Sequence, residues 1–168
     1  MADRVLDAFV SRRLIRPLSG EDPSLDDDGA YAIALEVYTR RLGRGERPVG
    51  RKIGFTNQSI WAGSQVSGPI WGHVYDSTLH STQAGDTRLR VGHLLQPRIE
   101  PEIQLHFART PPVTRDEDAI LESIDWIALG FEIVQCPRCS RLRTWTRFSP
   151  RSRAFNPFRL ARSSQRGR

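Results

Sequence analysis

The chain has 168 residues, enough for one domain with a real core, and no apolar run long enough to span a bilayer. Its opening Met1-Ala2-Asp3-Arg4 leads into a polar, helix-like segment without the apolar centre of a secretion signal, so a cytoplasmic protein is the expectation. The net charge of +6 and pI of 10.3 invite a nucleic-acid reading, but all 19 Asp and Glu lie in 1–132 with 15 of the 25 basic residues, giving −4, whereas 133–168 holds the other 10, all Arg, and no acid, giving +10.

Residues Asp3 to Arg16 place Val5, Leu6, Phe9, Val10, Leu14 and Ile15 at helical spacing. Pro17 to Asp28 is a turn-rich connector ending in three consecutive Asp, and Asp28 is a candidate cap for a second helix. That helix is expected from about Gly29 to Leu42, with Tyr31, Ile33, Ala34, Leu35, Val37, Tyr38 and Leu42 as its apolar stripe and Gly43 and Gly45 at its end. Val49 to Phe55 predicts a short strand, followed by Thr56 or Asn57 capping a helix through Gln58 to Ala62. Lys52, the sole lysine of the chain, lies within that strand between Gly50 and Gly54, which leave room for close approach. On a strand a lysine either faces solvent or is turned inward onto a partner.

Pro69 to Leu79 reads as strand then turn, with Asp76 at the turn, and Thr87 to Val91 as a further short strand. Thr110 to Arg115 is a loop, and Glu117 to Glu122 a short helix behind Asp116.

Two strands carry the chemistry. In Leu94 to Phe107, period-two alternation puts Ile99, Ile103, Leu105 and Phe107 on one face, suited to a core. Arg98, Glu100, Glu102, Gln104 and His106 fall on the other. Glu100 and Glu102 thus stand roughly 6.6 Å apart on one side. Such carboxylates raise each other's pKa unless a cation lies between them, and a hard divalent ion suits oxygen ligands; a solvated acidic face is the plainer alternative. Ile124 to Val134 is a largely apolar strand of the type buried on both faces, and Glu132 inside it is costly unless paired or metal-bound.

From Cys136 the character changes. Arg, Ser and Pro recur without a sustained period, so 136–168 reads as a disordered, Arg-rich tail. The Arg with Trp145, Phe148, Phe155 and Phe158 offers a rival reading, charge and stacking on single-stranded nucleic acid. Cys136 and Cys139 form a lone C-x-x-C with no second pair and no His after it, a weak signal for metal or redox chemistry.

Four motifs occur in order: Gly50-Arg51-Lys52-Ile53-Gly54-Phe55-Thr56, Gly72-His73-Val74-Tyr75-Asp76, Gln96-Pro97-Arg98-Ile99-Glu100-Pro101-Glu102-Ile103 and Gly130-Phe131-Glu132-Ile133-Val134. Over about residues 3 to 135 the chain resembles the 2-keto-4-pentenoate hydratases and the related 4-oxalocrotonate decarboxylases of the fumarylacetoacetate hydrolase superfamily. The resemblance implies an α+β fold: N-terminal helices over 3–44, then a mixed β roll or sandwich over 49–135 that is incomplete at the C-terminus, as in a truncated or frameshifted member. It implies that Glu100, Glu102 and Glu132 bind Mg²⁺ or Mn²⁺ and that Lys52 and Asp76 are catalytic. The implied activity is a hydro-lyase adding water to a small 2-oxo-alkenoic acid, with decarboxylation of a 2-oxo-3-enedioate as the alternative. Homo-oligomerisation is implied by the family; no membrane partner is expected, and nucleic acid, bound through the tail, is the alternative of another class.

Overall fold

The computed structural model describes residues 1–61, 68–82, 88–135 and 160–163. In chain order the elements are α1 (Ala2–Ser11), α2 (Leu18–Glu21), α3 (Asp27–Gly43), β1 (Pro48–Gly54), a 3₁₀ turn (Gln58–Ile60), β2 (Ile70–Tyr75), a second 3₁₀ turn (Asp76–Thr78), β3 (Leu79–Thr82), β4 (Arg98–Phe107), α4 (Glu117–Leu121), β5 (Ile124–Val134) and β6 (Leu160–Ser163). Helices and strands are mixed, and the α+β class holds. Among the described residues no helix is long and apolar enough to cross a membrane.

The helical part has its own core. Ala2, Val5 and Leu6 of α1 meet Leu18 of α2 and Val37 of α3, with Phe9, Ile15, Leu25 and Ile33 packed against them. The first helix stops at Ser11 rather than continuing to Arg16, because Arg12 turns into the left-handed region (φ 56°) and its N–H closes back on the Ala8 carbonyl. The cap of α3 is Asp26, not Asp28: its carboxylate accepts from the Gly29 N–H at 2.8 Å, while Asp27 and Asp28 fall within the first turn, where their charge favours the helix dipole. At the other end Arg44 caps, and Gly45 takes the positive φ of 84° expected after a helix.

β1 and β2 form a two-stranded antiparallel sheet in which Lys52 pairs with Gly72 and Arg51 with His73. The Arg51–His73 face packs on α3: Tyr38 stacks on His73 with ring centroids 4.2 Å apart, and Tyr31 on Trp71 at 5.8 Å. Arg41 sits over the Tyr75 ring at 3.8 Å and donates to Glu46. With that face occupied by the helix, pleat alternation sends Lys52 to the opposite side. A Cβ on Gly50 would meet nothing within 4 Å, so close approach of another group to the backbone does not explain that glycine.

The second sheet has the order β3-β6-β5-β4. β4 and β5 pair antiparallel over their whole lengths, from Arg98 opposite Val134 to Phe107 opposite Ile124. β6 lies between β5 and β3, so four residues of the segment expected to be a disordered tail form a strand; 136–159 and 164–168, including Cys136, Cys139 and the tail aromatics, lie outside the described residues. Arg88 to Val91 shows no strand, contrary to the sequence pattern, and Thr87 is outside the described residues.

The faces of β4 and β5 are the reverse of the expectation. Ile99, Ile103, Leu105 and Phe107 are exposed, as are Ile127, Leu129 and Phe131 across from them. The covered face of β5 is that of Ala128, Gly130 and Glu132; on its other face Ile133 is buried while Ile127, Leu129 and Phe131 are exposed. Among the described residues the apolar side is open at Ile99, Ile103, Leu105, Ile127, Leu129 and Phe131, whereas the acidic side receives Lys52.

Candidate metal centre

The β4–β5 register assembles the carboxylates. Glu100 stands directly opposite Glu132, and Glu102 opposite Gly130, two residues along the same face. Paired residues in an antiparallel ladder share a face, so all three side chains project together. One oxygen from each of Glu100, Glu102 and Glu132 lies within 4.8 Å of the others. Exposure falls steeply across the group: Glu100 is exposed, Glu102 half-buried, and Glu132 only 1% exposed.

Lys52 comes from the other sheet. Its ammonium donates to Glu102 Oε1 and to Glu132 Oε2, and the side chain is 11% exposed. Solvent exposure was the alternative for this lysine; it is turned inward instead. Glu132 Oε1 is buried with no hydrogen-bond partner.

The electrostatics follow from burial and crowding. Burial pushes the Glu132 carboxyl up to about 7; the Lys52 contact opposes this, and repulsion from Glu100 and Glu102 adds to it. Burial works against the charged form of Lys52, but its hydrogen bonds to Glu102 and Glu132 outweigh that and hold its pKa above the ordinary lysine value. With all groups ionised, three carboxylates against one ammonium leave two formal negative charges. The donor set is all oxygen, the one buried acceptor left over is a carboxylate oxygen, and a cation already lies between two of the three acids. The residues therefore fit a hard divalent ion.

Asp76 lies elsewhere. Tyr75 pairs with Pro48 and Gly72 with Lys52, which puts Asp76 roughly 13 Å along the ladder from the lysine. Its carboxylate accepts from the Arg47 N–H and Nε, both at 3.0 Å, and from the Ser77 N–H at 2.9 Å. These bonds, the Arg47 backbone N–H foremost, hold its pKa below the ordinary value. The structure thus brings together Lys52, Glu100, Glu102 and Glu132 and leaves Asp76 apart, at the turn after β2.

Two features went unread in the sequence. Arg41 is buried on α3 and tied to Glu46 and to Ser77 Oγ, which fixes the β1–β2 sheet on the helix. Its place one turn after Val37 in the apolar stripe was the available signal. His106, on the acidic face of β4, meets Asp125 at 2.5 Å and stacks on Trp126 at 4.7 Å. No local pattern marks that pair, since Asp125 reaches it only through the irregularity that shifts register between His106 and Phe107.

An α+β scaffold here projects three carboxylates from two paired strands to within 4.8 Å of one another, a candidate site for a divalent ion. Its fold is that of the 4-oxalocrotonate decarboxylase from Pseudomonas putida G7, solved with magnesium and adipate: TM-score 0.75 at 20% identity, covering 96% of this chain and 60% of that one. No protein-family model matches the chain. It is 33% identical over 145 residues to the 2-hydroxyhexa-2,4-dienoate hydratase of Comamonas testosteroni, covering 84% of this chain and 52% of the relative. It is 29% identical over 148 residues to the 2-hydroxypent-2,4-dienoate hydratase of Pseudomonas putida, covering 86% and 63%, and 32% identical over 146 residues to the 2-keto-4-pentenoate hydratase of Paraburkholderia phymatum, covering 86% and 53%. The chain is thus similar in sequence to curated 2-keto-4-pentenoate hydratases and in fold to a 4-oxalocrotonate decarboxylase, and it spans about half the length of most of the curated relatives named here.

Proposed function

We propose that the chain carries the metal-binding part of a cytoplasmic hydro-lyase that adds water to a small 2-oxo-alkenoic acid, within an incomplete β roll of the fumarylacetoacetate hydrolase type. The observation that carries this reading is the convergence of Glu100, Glu102 and Glu132 around the Lys52 ammonium. Those three residues would hold Mg²⁺ or Mn²⁺, which when bound supplies Lewis acidity toward the carboxylate and 2-oxo oxygens of such a substrate. Lys52 would hold the substrate carboxylate or move a proton at Nζ, for which its place on the acidic face is suited. Lys52, reaching across from β1, meets the buried Glu132 at Oε2. Asp76, bound to Arg47 and Ser77, would serve as a further acid–base group only by leaving those partners.

The test uses the protein with Mg²⁺ and 2-hydroxypenta-2,4-dienoate. The expected result is metal-dependent loss of the ultraviolet absorbance of the diene as water adds at C4–C5, at least 100-fold slower in Glu102→Ala. Equal rates with and without chelator overturn it. The decarboxylase reading is the alternative, favoured by the fold likeness to an enzyme solved with a dicarboxylate. Release of CO₂ from a 2-oxo-3-enedioate without hydration of the diene would decide for it.

A second copy of the chain is the partner proposed for the exposed side of β4 and β5. Ile99, Ile103, Leu105, Phe107, Ile127, Leu129 and Phe131 are between 38% and 71% exposed. At roughly 200 Å² per large side chain this is on the order of 800 Å² of apolar surface, matching the roughly 800 Å² per partner of a stable interface. Sedimentation velocity should show a dimer or larger assembly that Leu129→Arg converts to monomer. A monomeric parent at all concentrations would exclude this contact.

A further inference from the structure

We infer that Lys52 is the resident counter-cation of the metal-free site and is displaced from Glu102 and Glu132 when a divalent ion enters, so that ion and lysine occupy the same carboxylates alternately. The inference rests on the metal reading above and adds an order of events to it.

Nζ of Lys52 donates to Glu102 Oε1 and Glu132 Oε2, and both residues belong to the set of three whose oxygens converge. An ion held by those residues takes the lone pairs that now accept from the ammonium. A divalent ion and an ammonium a few ångströms apart in a half-buried site repel strongly, because little water is present to screen them. The acids start from fixed places: the β4–β5 ladder holds the backbone of Glu100, Glu102 and Glu132, two of them directly paired, and Glu132 is buried. Lys52 can move away, since its charge sits on a flexible four-carbon stem from a different sheet.

The consequences differ for the two states. Without an ion, Lys52 offsets part of the repulsion among three acids and fills the space between them. With one, it is released from both acceptors and presents its ammonium beside the ion, where an anionic substrate would arrive. Metal loading would thereby arm the lysine, and a substrate carboxylate would gain its cation only after the ion is in place.

Because Lys52 is the sole lysine, amine labelling reads it directly, with the Met1 amine as internal control. The protein is treated with trinitrobenzenesulfonate in chelator and in saturating Mn²⁺, and the adduct is located by peptide mass. Labelling of Lys52 should quicken at least tenfold in Mn²⁺ while that of Met1 is unchanged. In parallel, Lys52→Met should bind Mn²⁺ at least tenfold more tightly than the parent by titration calorimetry. If Mn²⁺ binds but Lys52 labels no faster, displacement is overturned and the metal reading stands, whatever the variant's affinity. If neither protein binds Mn²⁺, the metal reading itself falls and takes this inference with it. The labelling needs no variant, so poor folding of Lys52→Met does not blunt the test.

Discussion

Glu132→Gln is expected to be more stable than the parent by about 2–3 kcal/mol at pH 8 in chelator, and to gain nothing from Mg²⁺. The reason lies in what the fold does to this carboxyl. Its pKa is pushed from 4.5 up to about 7 by burial, with Glu100 and Glu102 adding to the effect despite the Lys52 contact. Above that pH the native state holds a charge it disfavours, and at about 1.4 kcal/mol per unit the cost approaches roughly 3 kcal/mol. Gln keeps the shape, removes the charge, and its carbonyl still accepts from Lys52, which stays paired with Glu102. A charge-assisted hydrogen bond becomes an ordinary one, which trims the gain. The parent recovers its deficit when the ion binds, by about 2.7 kcal/mol at a hundredfold excess over Kd. Urea denaturation of both proteins, in chelator and in Mg²⁺, should therefore show the order of stability close up or reverse. A variant weaker than the parent in chelator would mean that the Lys52–Glu132 pair outweighs its desolvation, and the site would then be a structural ion pair.

A buried carboxyl that disfavours its own charge is the kind of local conflict that marks a site, and it was visible in the sequence as an acid inside an apolar strand. Ile124–Val134 was legible to the residue because its run is bounded on both sides. Its partner β4 was legible in type but not in extent: it starts at Arg98 rather than Leu94, where β5 ends opposite it and Leu94 has already turned back onto Val91. Alternation told which β4 residues share a face but not which face is covered. That depends on the second sheet, and so the apolar face of Ile99 and Ile103 was assigned to a core that the described residues do not provide. The inward turn of Lys52 was hidden for the same reason, being set by α3 filling the opposite face through Tyr38 and His73. The three-Asp run before α3 could not reveal its cap, because the choice rests on which aspartate is extended.

The metal-free protein should lose stability as pH rises from about 4.5 through 7, the opposite of the usual carboxylate behaviour. Glu132 is protonated in the native state over that window and ionised in the unfolded chain, so the native state binds the extra proton and stability falls with pH. The contribution is complete below the unfolded pKa and gone above the folded one, roughly 3 kcal/mol in all at about 1.4 kcal/mol per unit. Asp76, Asp3 and Glu21 act in the other direction. Their carboxyls are held down by bonds to Arg47, Arg40 and Arg4, so their contribution is present above the ordinary carboxylate range and lost as pH falls through the depressed values. These groups are solvent-screened, and their effect is small. Lys52, raised above 10.5, contributes below that pH and loses its effect only in strong alkali. His73, held below its ordinary value chiefly by burial, opposes Glu132 by gaining stability as pH rises toward 6.5, but the larger shift of Glu132 sets the slope of the neutral range. An ion needs its carboxylate, so Mn²⁺ binding should release a proton below pH 7, and affinity should fall toward tenfold per unit as pH drops further. Calorimetry in two buffers of different ionisation enthalpy measures that proton, and chemical denaturation across pH 4–8 measures the slope. Persistence of the slope in Glu132→Gln would assign it to another group and remove the raised Glu132 from the account.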